Sequence, residues 1–158
     1  MNTSHSVRAY IDTEFSNLVD MHLISIALVT DKGQEFYGEL NDCPIDDCAE
    51  FTRDTVLPLL GRIPGSNLTR EQLRDQLMTW LEDVRDGGKL VVSYDYFGDY
   101  ALLIESLGSE PSWLRGDNVR NRIDATARAA YFARTGEPMH HALHDARALR
   151  CSYRPRTA

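Results

Sequence analysis

A chain of 158 residues, 42% hydrophobic and 26% charged, is long enough to bury a continuous core and of ordinary length for one domain. Its longest apolar runs, such as residues 23–29, are far too short to span a bilayer, which excludes a helical membrane protein. The net charge of −7 argues against a uniformly basic nucleic-acid binder, yet it is unevenly spread: residues 1–111 hold 8 Lys/Arg and 20 Asp/Glu, residues 112–158 hold 9 Arg and 4 acids.

Taken in order, the first residues, Met-Asn-Thr-Ser-His-Ser, have neither a basic flank nor an apolar segment. No secretory signal is expected, and the cytoplasm is the expected compartment. Alternation of apolar and polar residues predicts strands over 7–15, 22–30 and 34–39, the last two joined by the hairpin turn Asp31-Lys32-Gly33. Residues 46–60 carry helical spacing of Cys48, Phe51, Val56, Leu59 and Leu60, closed by Pro58 and Gly61. Thr69-Arg-Glu-Gln72 is a capping box that opens a helix with Leu73, Leu77, Trp80, Leu81 and Val84 on its apolar face, stopped by Gly87-Gly88.

Residues 89–94 read as a buried strand, followed by a helix over 99–108 and a loop over 109–117. A short strand is expected over 118–124 and a helix over 125–134. Thr135-Gly-Glu-Pro138 then breaks the chain before a last helix over 140–150. The domain core is thus expected over about 7–150, with residues 151–158 fraying. Three meander strands followed by alternating helices and strands imply an α/β domain with a mixed central sheet. Cys43, Cys48 and Cys151, odd in number and without a CxxC spacing, argue against a disulfide framework or a zinc site and read as reduced thiols.

The chemistry begins at the end of the first strand, where Asp12 and Glu14 are two residues apart and so project to the same side. Paired carboxylates repel and raise each other's pKa unless a cation lies between them, and hard oxygen ligands suit Mg²⁺ or Mn²⁺. The alternative is a strand that runs into an acidic turn. Two later stretches bear on the choice: Val91-Val-Ser-Tyr-Asp-Tyr-Phe-Gly-Asp-Tyr-Ala-Leu-Leu103, in which a buried strand emits an acid and a second acid opens a helix, and His140-His-Ala-Leu-His-Asp-Ala146.

Together these three stretches resemble the three motifs of the DEDDh 3′–5′ exonucleases, the DnaQ-like branch of the ribonuclease H fold that includes ribonuclease T and oligoribonuclease. The similarity runs over nearly the whole chain, and the Asp-Thr-Glu-Phe near the start is similar to that of a small single-domain bacterial exoribonuclease subgroup. Most relatives carry an Asn shortly before the second-motif acid. Here it is missing, which leaves Asp95 beside Asp99 as a candidate, although the Leu-Leu pair that follows fits Asp99.

The resemblance implies that Asp12, Glu14, Asp99 and Asp145 hold two divalent ions, Mg²⁺ or Mn²⁺, which activate water and neutralise the leaving 3′ oxygen. It implies His140 as general base and release of nucleoside 5′-monophosphates one at a time from a single-stranded RNA 3′ end. Thr13 and Phe15 are the candidate substrate contacts. Phe15 either stacks on the terminal base or belongs to the core.

Helical period alone would favour His141 over His140 as the neighbour of Asp145, but Pro138 places His140 in the entering loop or first turn. His141 and His144 then read as helix-surface residues. Arg115, Arg120, Arg122, Arg128 and Arg134 either follow a phosphate backbone or are solvated helix faces. Other functions remain open: a 3′–5′ exodeoxyribonuclease, a DnaQ-like module that binds nucleic acid without cutting it, and an endonuclease of the ribonuclease H type, which would not need His140. Several relatives work as homodimers.

Overall fold

Three strands open the chain: β1 (Ser6–Phe15), β2 (Leu23–Thr30) and β3 (Glu35–Leu40). They pair antiparallel as a meander, with Gly33 at φ 85° in the turn between the second and third, a backbone that glycine adopts without a Cβ penalty. In the computed structural model, which describes residues 5–156, a two-residue strand β4 (Asn67–Leu68) joins β3 in parallel. On the other side of β1, β5 (Lys89–Tyr94) and β6 (Leu114–Asn118) add in parallel. The result is a mixed six-stranded sheet in the order β4-β3-β2-β1-β5-β6.

Helices cover both faces. Val7, Ala9 and Ile11 of β1 point to the face packed by α1 (Arg70–Arg85) and α2 (Phe97–Leu107), whose Leu73, Leu77, Leu81, Leu102, Leu103 and Leu107 are buried there. Tyr10, on the opposite face, packs with Leu149 of α4 (Ala142–Ser152), while Ala27 and Val29 pack on Ala142, Leu143 and Ala146. The outer helix α3 (Ala125–Thr135) rests against α4. All eight residues of β2 are buried, as expected for a strand covered on both sides. The capping box at Thr69 forms as expected, with the Thr69 hydroxyl accepting from Gln72 N–H and the Gln72 side chain from Thr69 N–H.

Several expectations need correction. Residues 46–60 do not form a regular α-helix: a 3₁₀ turn (Ile45–Asp47), a π turn (Thr52–Val56) and a second 3₁₀ turn (Leu57–Leu59) follow one another. Pro58 has no N–H to donate and its ring crowds the carbonyl four residues back, which opens the turn before it. Phe51, one of the helically spaced apolar residues, is 56% exposed. The last sheet strand falls at 114–118, inside the expected loop, and residues 120–122 form a 3₁₀ turn where a strand was expected.

α2 begins at Phe97, two residues before the expected start, which leaves Asp99 in its first turn. The tail does not fray from residue 151 onward either. Ser152 is buried in α4, Tyr153 bridges Ile123, and Arg154 N–H donates to the Arg122 carbonyl. Residues 157–158 of that tail lie outside the described residues.

The cysteines are free thiols, with the Cys43 and Cys48 sulfurs 3.9 Å apart. Among the described residues no helix is long and apolar enough to cross a membrane.

Candidate functional site

The C-terminal end of β1 carries the acids. Asp12 lies opposite Ala27 and Glu14 opposite Ser25 on β2, and a bulge between Glu14 and Phe15 ends the regular pairing. Bulges of this kind re-aim the chain beside functional sites. Because the strand alternates, Asp12 and Glu14 share the face covered by α4, whose first turn presents Asp145. One carboxylate oxygen from each of Asp12, Glu14 and Asp145 lies within 4.8 Å of the others.

Asp99 approaches from the other face of the sheet and stands outside this triad. It is buried, and one of its oxygens accepts from the Thr13 hydroxyl at 2.7 Å and the Thr13 N–H at 3.2 Å. Thr13, a candidate substrate contact by sequence, is itself buried, and its side chain holds Asp99 in place. Asp95, the other second-motif candidate, is half-buried and ion-paired to Arg128 at 2.6 Å.

Electrostatically the cluster is under pressure. Burial, with Asp99, Asp145 and Glu14 nearby, lifts Asp12 well above the usual carboxylate range. Burial, then Asp145 and Asp99, pushes Glu14 up to about 8. Burial takes Asp99 up to about 7 against the Thr13 hydrogen bonds that hold it down. Asp145 is raised by burial too, opposed by Arg128 and by the His140 and His141 backbone N–H groups.

An all-oxygen donor set in this state fits a hard divalent cation. Oxygens on opposite sides of one Mg²⁺ are about 4.2 Å apart, so the spread of these three is close to what such an ion requires.

This charge pattern fixes a pH dependence. An acid whose folded pKa lies above its unfolded value of about 4 stabilises the fold while protonated and loses that contribution as pH rises through the folded value. From Glu14 and Asp99 the contribution is whole below about pH 4 and gone above about pH 8. Mn²⁺ should therefore raise Tm relative to EDTA much more at pH 8 than at pH 5, where protons compete with the ion. Equal melting curves with and without Mn²⁺ at pH 8 would show that the acids hold no cation.

His140 lies outside α4, with His141 as the N-cap residue, as the position of Pro138 implied. Its φ of 64° is left-handed, rare for a residue with a Cβ, and its N–H donates to Asp145 Oδ2 at 2.7 Å. Its ring meets the exposed Phe51 edge-on, centroids 4.9 Å apart. The loop before it is pinned: Glu137 accepts from Tyr131 and Arg147, and the Pro138 carbonyl lies 2.9 Å from His144 Nδ1.

His141 is not the surface residue expected. It is 3% exposed, stacked between Tyr37 and His144, with Nδ1 unpartnered among the described residues.

Compared with protein-family models and with curated proteins, the chain gives no match.

Phe15 is half-buried and stacks on Tyr96, centroids 5.9 Å apart and planes 24° from parallel, next to the exposed Phe97. Tyr96 and Phe51 are the site neighbours that sequence reasoning missed. Phe51 was hidden by its helical spacing, and Arg128, one of the arginines named from the sequence as a possible phosphate contact, is paired with Asp95, a partner distant in sequence.

Proposed function

We propose that the chain is a metal-dependent 3′–5′ exonuclease of the DEDDh type, on a ribonuclease H-like fold, that trims single-stranded RNA to nucleoside 5′-monophosphates. The observation that carries this reading is the convergence of Asp12 and Glu14 from β1 with Asp145 from α4, next to a histidine in a left-handed backbone bonded to that same Asp145. Strained non-glycine residues concentrate at functional sites. The sheet supports the fold assignment: an antiparallel meander, then parallel strands, with the acids at the carboxyl ends of β1 and β5. Clefts beyond such strand ends are where open α/β sheets bind ligands.

In this reading Asp12, Glu14 and Asp145 hold the cations, and Asp99, oriented by Thr13, completes the set. When bound, divalent ions supply the positive charge that makes a water acidic near neutral pH and offsets the charge on the leaving 3′ oxygen. His140 takes the proton of the attacking water at a ring nitrogen, the task for which imidazole is suited. Asp145 fixes the His140 backbone, and Phe15, backed by Tyr96, offers the terminal base an aromatic surface. RNA is the assigned substrate because a terminal 2′-OH gives the site a group to recognise that DNA lacks.

The test is incubation of 5′-labelled single-stranded RNA and DNA with Mg²⁺ or Mn²⁺. RNA should shorten from its 3′ end in one-nucleotide steps, faster than DNA, and EDTA should stop the reaction. Internal cuts would indicate an endonuclease, faster loss of DNA an exodeoxyribonuclease, and tight binding without turnover a binding module.

A further inference from the structure

The arginines of the basic C-terminal third do not form one track. Arg122 is paired with Asp117, Arg147 with Glu35 and Glu137, Arg154 with Asp124, and Arg134 lies over the Tyr131 ring. Arg115 projects from β6 into a separate cavity beside Lys89 and Trp113. Two are placed differently. Arg120 is exposed, and its guanidinium has no ion-pair or hydrogen-bond partner among the described residues. Arg128 is half-buried, its pair with Asp95 more than offsetting the burial that works against its charge.

Arg120 and Arg128 line one cavity of about 570 Å³ together with Asp95, Tyr96, Ile123 and Ala125. It adjoins the acids. Asp95 follows directly on β5, Tyr96 is the ring stacked on Phe15, and the Arg128 charge acts on Asp145 and Asp12. Ala125 begins α3, an 11-residue helix whose amino end adds partial positive charge and is capped by Asp124 through the Ala127 N–H. An aromatic ring, an apolar side chain and two guanidiniums beside a phosphodiester-cleaving centre match one nucleotide and its phosphate.

We propose that this cavity is the subsite for the second nucleotide from the 3′ end, with Tyr96 and Ile123 against its base and Arg120 and Arg128 holding the phosphate on its 5′ side. The inference rests on the exonuclease reading. It gives the enzyme a grip on the strand beyond the scissile bond, so a substrate of one nucleotide lacks contacts that an oligonucleotide makes. In this way the site would prefer a strand to a mononucleotide ester. Asp95 holds Arg128 in place meanwhile, close to the carboxylates that would otherwise attract it.

Arg120→Ala is the informative variant, because Arg120 lies on an exposed turn and its loss leaves no partner unpaired. kcat/KM would be measured for a six-nucleotide RNA and for the p-nitrophenyl ester of a nucleoside 5′-monophosphate, which fills only the terminal position. The ratio of the two should fall about tenfold or more, chiefly through KM on the RNA, with Arg120→Lys recovering part of the loss. The salt dependence of RNA binding should also fall by about one ion. If wild type turns over both substrates and Arg120→Ala leaves the ratio unchanged, the subsite is wrong and the exonuclease reading stands. If wild type turns over neither, the exonuclease reading falls and this inference with it.

Discussion

Asp12→Asn should lower turnover on single-stranded RNA on the order of a thousandfold or more while making the metal-free protein more stable at pH 8. The two effects have one cause. Asp12 sits where burial first, and then Asp99, Asp145 and Glu14, oppose its ionisation, so once it ionises the metal-free fold carries a charge that its surroundings resist. An amide of the same shape removes that charge, and each kcal/mol relieved is worth about 2–4 °C in Tm for a chain of this size. The gain should shrink as pH falls and the native carboxyl takes up its proton. Added Mn²⁺ should raise the wild-type Tm and barely move the variant's. Loss of Tm in Asp12→Asn at pH 8 would mean that the carboxylate holds the fold together, and retained turnover would remove it from the chemistry.

What the sequence revealed and what it hid divide along physical lines. The meander was legible because β1–β3 are short runs of strand-forming residues, β2 nearly all apolar, and Gly33 marks the turn, and α1 because its capping box is a purely local signal. β6 was not, since Leu114 is the only apolar residue in Leu-Arg-Gly-Asp-Asn and the strand exists because β5 offers it a ladder. Gly116 has a tertiary reason as well: a Cβ there would lie 2.9 Å from the Tyr100 ring. Residues 45–59 failed in the opposite sense, with helical spacing present and Pro58 overriding it.

In the site, the shared direction of Asp12 and Glu14 follows from strand alternation alone. The approach of Asp145 depends on how α4 crosses β1 and β2, which no local pattern encodes. The commitments of Thr13 to Asp99 and of Arg128 to Asp95 join residues far apart in the chain and became visible only in the fold.

The remaining large effect separates two adjacent histidines. His140→Ala should lower turnover on the order of a hundredfold or more at saturating Mn²⁺, while His141→Ala stays near wild type in turnover and loses stability. His141 fills a buried slot against Tyr37 and His144, so truncation leaves a hole, and its Nδ1 is buried with no hydrogen-bond partner among the described residues. Burial, with His144 next to it, also brings its pKa down to about 4, so it stays neutral from pH 6 to 9 and cannot produce a low-pH limb in that range. At saturating metal the carboxylates are held deprotonated, and a limb that His140→Ala abolishes is then assigned to His140.

A third variant removes the remaining ambiguity. At φ 64° a residue with a Cβ is strained, so His140→Gly relaxes the backbone that His140→Ala does not. If the imidazole is what matters, both should be equally inactive while the glycine variant melts at the higher temperature. If His140→Gly keeps turnover, or if His141→Ala is the variant that loses the limb, the general base lies elsewhere.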